Sequence, residues 1–169
     1  LGFLLRGNKK FNKYKKTIDV HICFGIFLFT SLFVGGFLTQ SIKHIVGRPR
    51  PNYTTLEENI GFNFFNINSE FHSFPSGHAS TIFLVALTII YFLPKLKYFM
   101  LVFAGIIAFS RVVVGAHFFT DIIGGAAVAY LTTKLVVLLL KKYNLINLTK
   151  IKKDTMIVIN YWSGDTKIY

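Results

Sequence analysis

VHICFGIFLFTSLFVGGFLTQSI, Val20 to Ile42, runs for 23 residues without a formal charge. At 1.5 Å per residue, a helix of that length crosses the roughly 30 Å of a bilayer's hydrocarbon core. Three further apolar runs follow: Ser76 to Leu93, Tyr98 to Gly115 with Arg111 near its end, and Ile122 to Leu140. Lys134 interrupts the last, close enough to its end to snorkel. Of the 169 residues, 53% are hydrophobic and 15% charged, against about 25% charged in soluble proteins. An ordinary soluble domain is excluded. The expected fold is an all-α integral membrane helical bundle, one domain over residues 1–169 with four spanning helices.

The net charge of +12 would suggest nucleic acid in a soluble protein, but its distribution points elsewhere. Arg6 to Lys16 (RGNKKFNKYKK) carries six basic residues, and the hinge PKLK adds Lys95 and Lys97. The tail 141–169 supplies Lys141, Lys142, Lys150, Lys152 and Lys153. Two spans separate each of these segments from the next, so all three emerge on one face, which the positive-inside rule makes cytoplasmic. The basicity is topology, and no nucleic-acid partner is expected. The opposite face holds the loop 43–75 and the turn from Gly115 to Asp121. Within that loop, IGFNFFNINSEFHSF is rich in phenylalanine. It fits either a segment at the lipid interface or a cover packed over the helix ends.

Smaller features complete the reading. Cys23 is the sole cysteine, so it has no partner within the chain, and packing is its expected role. High Lys, Asn, Ile and Phe usage is what an AT-rich genome produces, and it points to a bacterium. The chain begins at Leu1, and LGFLLR reads like the last turns of an earlier spanning helix. In the tail, TMIVINYW alternates enough for a short strand or an interfacial segment.

Three polar clusters meet on the outer face. FHSFPSGHAST, Phe71 to Thr81, is a turn feeding a helix, and the first amides of a helix have no partner within it, which makes an anion site. His78 there titrates near neutrality. KHIVGRPRP closes the first span with Lys43 and Arg50. SRVVVGAHFFTD closes the third with Arg111, His117 and Asp121. Three of the chain's four arginines fall in these clusters, and a guanidinium binds phosphate oxygens bidentately. Arg111 inside an apolar run is costly, which marks it as functional. Arg48 fits a membrane-surface anchor as well as a ligand contact. His21, His44 and His72 read as interfacial.

If the chain is helical from Phe118 onward, His117 and Asp121 share a face. Asp121 then accepts a hydrogen bond from one ring nitrogen and leaves the other as a nucleophile. His78 is the second acid–base group. A metal held by His72, His78, His117 and Asp121 would need ligand spacing the sequence lacks, amid cations that oppose it. No metal or other cofactor is expected.

Lys43, six residues, then Arg50-Pro51; Pro75-Ser76-Gly77-His78; Ser110-Arg111, five residues, His117, three residues, Asp121: this three-part pattern resembles the signature of the type 2 phosphatidic acid phosphatase superfamily. The match runs from Lys43 to Asp121 without a substitution at any signature position. The resemblance implies a metal-independent lipid phosphatase of six spanning helices, two of them upstream of Leu1, whose site faces away from the cytoplasm. It implies His117 as nucleophile oriented by Asp121, and His78 as acid and then base. Lys43, Arg50, Arg111, Ser76 and the Gly77 amide would hold the phosphate oxygens. The implied place is a bacterial inner membrane, with the site on the periplasmic side and a phosphorylated membrane lipid as substrate. The arginine-rich rim and Phe-rich loop suit a bulky lipid such as lipid A. Undecaprenyl diphosphate, phosphatidylglycerol phosphate and transfer to a lipid hydroxyl remain open alternatives.

Overall fold

The computed structural model describes residues 9–54, 61–143 and 154–155, with side chains from Tyr14 onward. Within them lie four helices: α1 (Lys9–Val46), α2 (Gly77–Phe92), α3 (Lys97–Val113) and α4 (Phe119–Lys142). Single 3-10 turns stand at Ser69–Phe71 and Pro94–Leu96, and no strand occurs among the described residues. LGFLLR lies outside the described residues, as does TMIVINYW apart from Thr155.

Three of the helices are long and apolar enough to cross a membrane, where the sequence suggested four: α1 from Tyr14 to Val46, α3 with its preceding turn from Pro94, and α4. The remaining apolar run becomes α2, 16 residues and so about 24 Å long. Its ends explain its length. Ser76 caps the start, its hydroxyl accepting the Ala79 N–H at 3.4 Å. Pro94 opens the next turn and has no N–H to extend the helix. α1 outlasts its charge-free run, ending where Gly47 takes a left-handed φ of 56°. Lys43 therefore stands on the last helical turn rather than at the start of a loop.

α2 is the central helix and packs against each of the other three. It runs antiparallel to α1 in a regular register. Thr39 donates its hydroxyl hydrogen bond to Ser80 at 3.0 Å. One turn below, Gly35 leaves room for the Leu84 side chain. Two turns farther, the Phe27 and Phe92 rings meet edge to face at 5.7 Å. Phe27 and Phe92 join Cys23, Val136 and Leu140 in a buried cluster tying α1, α2 and α4 together. Cys23 is thus a packing residue, as its position in the sequence suggested. Ala79, Ala108 and Ile122 form a second cluster nearer the other end, joining α2, α3 and α4. Outward faces carry Phe29, Phe33, Phe103 and Leu138, the pattern of helices that meet lipid.

The alternation of helix directions gathers Lys16, Lys95, Lys97, Lys141 and Lys142 at one end of the bundle. Asp154 of the tail joins them through an ion pair with Lys16 at 3.8 Å. All three polar clusters of the sequence lie at the opposite end.

Candidate active site

The turn between α3 and α4 sets the first functional side chain. α3 ends at Val113, and Gly115 follows with a φ of 69°, a left-handed conformation that costs glycine least. A Cβ there would also strike the Asn52 side chain. The Arg111 carbonyl accepts both the Ala116 and the His117 N–H, at 3.1 and 3.2 Å. His117 is thereby fixed outside α4, with Phe118 as N-cap and Asp121 in the first turn.

The pairing with Asp121 arises otherwise than the sequence suggested. His117 does not share a helical face with it. Asp121 instead turns back over the helix start, where Oδ2 accepts the Phe118 N–H at 2.8 Å. His117 Nδ1 then faces Oδ2 at 3.5 Å, a long approach without hydrogen-bond alignment. That nitrogen is buried and has no other partner.

What holds Asp121 is a set of donors the sequence reading did not assign to it. Arg48 donates to Oδ1 at 2.8 Å and Ser73 donates to Oδ2 at 2.6 Å. Arg48 also donates to Thr120 Oγ1 at 2.6 Å and lies over the Phe118 ring, 4.3 Å from its centroid. An ionised carboxylate is acceptor-only, and here three donors converge on one with no exposed side-chain surface. Arg48 is therefore neither surface anchor nor cavity lining; it braces the aspartate. The Ser73 N–H donates to the Arg48 carbonyl at 3.0 Å, so the two braces are themselves joined.

In front of this group opens a cavity of about 770 Å³. Lys43, Arg50 and Arg111 line it together with His78, His117 and Gly77. Among the described residues no carboxylate lines it, since Asp121 stands behind His117. Carbonyls of the loop steady two of the cations. Lys43 Nζ donates to the His72 carbonyl at 2.6 Å, and Arg50 Nε to the Ser69 carbonyl at 3.1 Å. Arg111 Nε is buried without a partner. The first-turn amides of Gly77 and His78 have no acceptor within α2 and add to an anion-seeking surface. Ser76 is placed differently from the sequence reading: fully buried, it gives its hydroxyl to the helix cap and does not line the cavity. Among the described residues, no group of three or more His, Cys, Asp or Glu side chains comes together as a metal-ligand set.

Two glycines shape this end for different reasons. At Gly125 a Cβ would lie 2.6 Å from the Ser76 carbonyl oxygen and 2.9 Å from both Ala79 Cβ and Ser80 N. Close approach of α4 to the start of α2 depends on its absence, and so does the bond from Ser76 N–H to the Asp121 carbonyl at 3.0 Å. At Gly77 a Cβ would meet only Lys43 Cε, at an ordinary 3.8 Å. The fold tolerates alanine there, so any demand for glycine comes from what enters the cavity. Gly125→Ala is expected to cost about 1–3 kcal/mol by overpacking, whereas Gly77→Ala should unfold at the wild-type temperature and lose anion affinity. Thermal unfolding in detergent and phosphate binding measure the two effects.

The site brings together Lys43, Arg50, Gly77, His78, Arg111 and His117 from positions up to 74 residues apart (117 − 43). A family model described as the PAP2 superfamily matches residues 24–145. Over 105 residues the chain is 33% identical to a lipid A 1-phosphatase of Rhizobium etli, covering 61% of this chain and 44% of that protein. Over 129 residues it is 31% identical to phosphatidylglycerophosphatase B of Bacillus subtilis, covering 70% of this chain and 56% of that protein. The solved transmembrane PAP2-type phosphatidylglycerolphosphate phosphatase of Bacillus subtilis aligns at 25% identity with a TM-score of 0.46, over 80% of this chain and 72% of that one. The chain spans about half the length of the curated relatives it matches. With its apolar helices and the extent of the family match, it is a multi-pass membrane protein and belongs to the PAP2 superfamily.

Proposed function

We propose that this chain is a metal-independent lipid phosphatase working through a phosphohistidine. The observation that carries the reading is one cavity on which Lys43, Arg50, Arg111, His78 and His117 all open, with a braced carboxylate behind His117. Phosphoryl transfer asks mainly for positioning and charge stabilisation. Lys43, Arg50 and Arg111 supply the positive charge that a metal gives in other phosphatases.

In the proposed reaction, His117 Nε2 attacks phosphorus in line while Asp121 stabilises the positive charge growing on the ring. The bond from phosphorus to the lipid oxygen breaks, and His78 gives that oxygen a proton. Water then attacks the phosphohistidine, His78 takes the water's proton, and the P–N bond breaks to free inorganic phosphate and His117. The lysine-rich end is assigned to the cytoplasm, which places the cavity on the periplasmic side of a bacterial inner membrane. Relatives named for lipid A and for phosphatidylglycerol phosphate support a lipid phosphate substrate. Lipid A is favoured among these because two of the relatives are named lipid A 1-phosphatase.

Phosphate release in detergent tests the reading, with lipid A, undecaprenyl diphosphate and phosphatidylglycerol phosphate compared side by side. Chelator is expected to leave the rate unchanged; a strict metal requirement overturns the mechanism. Labelled phosphate recovered on an acceptor lipid instead of in solution would mark a phosphotransferase. The role of His78 is read from the leaving group. His78→Ala should slow a lipid alkoxide by roughly 10²–10⁴-fold and a p-nitrophenyl ester far less, because nitrophenolate departs without a proton. Equal losses on both esters remove His78 as the acid.

A further inference from the structure

Among the described residues, the loop between α1 and α2 presents four large, exposed apolar side chains. Phe62, Phe64, Phe65 and Ile67 are 55%, 63%, 77% and 87% exposed. No charge occurs from Gly61 to Ser69. Two of the three asparagines here serve the backbone: Asn66 Oδ1 accepts the Asn68 N–H at 2.7 Å, and Asn68 Oδ1 accepts the Glu70 N–H at 3.1 Å. Phe62 and Phe64 stack at 6.2 Å. Apolar groups turn outward while Asn66 and Asn68 satisfy backbone N–H groups, which suits a segment where water is scarce.

The height of the loop identifies its neighbour. The Asn63 N–H donates to the Gly47 carbonyl at 2.8 Å, and the Phe65 N–H to the Ile45 carbonyl at 3.4 Å. Lys43 Cε lies 3.8 Å from where a Gly77 Cβ would stand, so Lys43 and the start of α2 are level. Ile45 and Gly47 are two and four residues farther along, about 3–6 Å higher. Adding the roughly 24 Å of α2 puts the loop about 27–30 Å from the Lys95–Lys97 hinge, the thickness of a hydrocarbon core. Its surface also continues the exposed side of α1 through Ile45.

We infer that residues 61–67 are immersed in the interfacial zone of the bilayer on the cavity side, Phe64, Phe65 and Ile67 meeting the glycerol ends of the acyl chains. The loop also carries the carbonyls of Ser69 and His72 that hold Arg50 and Lys43. Immersion therefore ties the segment that holds these two cations to the bilayer, within reach of lipid headgroups. A lipid in the bilayer gains from this; a soluble phosphate ester does not. This consequence for turnover rests on the proposed phosphatase reading, whereas the immersion itself does not.

Tryptophan at position 65, in a Trp162→Phe background, reports the depth. In phosphatidylcholine vesicles, Phe65→Trp should emit to the blue, resist iodide, and be quenched more by lipids brominated near the glycerol than near the chain end. Red emission open to iodide overturns the inference. So does blue emission indifferent to brominated lipid, which would mean that protein covers the loop, either a second copy or another part of this chain. A second arm reads activity. Phe64→Ser with Phe65→Ser should lose roughly tenfold on a lipid phosphate in vesicles and nothing on a soluble short-chain ester. Equal losses on both overturn the role in lipid selection. Wild-type protein inactive on both substrates would sink the phosphatase reading while the fluorescence result stood.

Discussion

On the proposed mechanism His117→Ala is expected to abolish the phosphoenzyme: lipid phosphate turnover should fall by at least about 10⁴-fold, with no acid-labile phosphate left on the protein after rapid quenching. The expectation follows from where the ring stands. His117 lines the cavity with the three cations, while its Nδ1 faces a carboxylate that has no exposed surface. The variant should fold, since the hydrogen bonds that shape its turn are made by backbone N–H groups to the Arg111 carbonyl and do not involve the imidazole. Wild-type unfolding temperature together with wild-type turnover would remove His117 as nucleophile. Loss of both would demand a milder substitution, and His117→Gln then separates chemistry from folding.

Arg48→Ala is expected to cost turnover without touching substrate. The guanidinium does not line the cavity, yet it supplies the ion pair that Asp121 makes at 2.8 Å. Removing one partner of a buried pair costs about 3–5 kcal/mol, because the other charge is left in a poor solvent. The aspartate will seek other donors, and a displacement of about 1 Å at His117 is enough to lose about 10²-fold in rate. Phosphohistidine formation should slow by that factor while the KM for lipid phosphate stays within a few-fold. Arg48→Lys recovers part of the loss, since lysine keeps the charge but lacks the planar guanidinium whose Nη1 donates to both Asp121 and Thr120. Guanidinium added to Arg48→Ala should restore some turnover. A raised KM with unchanged phosphorylation rate would instead make Arg48 a substrate contact.

The spans were legible because lipid tolerates no charge, so each helix announces itself as a gap among lysines. The height of α2 was less so, since Ser76 and Pro94 cut it shorter than an apolar run alone suggests. At the site, Lys43, Arg50, His78, Arg111 and His117 could be read from residue type and from which end of which run they occupied. Their counterpart Arg48 could not. Its partner Asp121 is 73 residues away, and nothing local distinguishes an arginine that braces a carboxylate from one that waits for phosphate. Ser73 is 48 residues from the same carboxylate and carried no signal at all. The His117–Asp121 pair was found at the right spacing through the wrong geometry. A four-residue interval serves a helical face and a first-turn reach-back equally well.

The match of α1 to α2 has a bearing on chain length. Thr39, Gly35 and Phe27 each meet a fixed partner, so α1 neither slides nor turns on its own. One residue inserted between Thr39 and Lys43 would carry the lysine 1.5 Å onward and swing it by about 100°, out of the cavity and into the lipid. Substitution in that stretch alters a contact, whereas insertion or deletion alters an address. The helix works as a ruler whose zero is the Phe27–Phe92 contact, and Lys43 is a mark at a set distance along it.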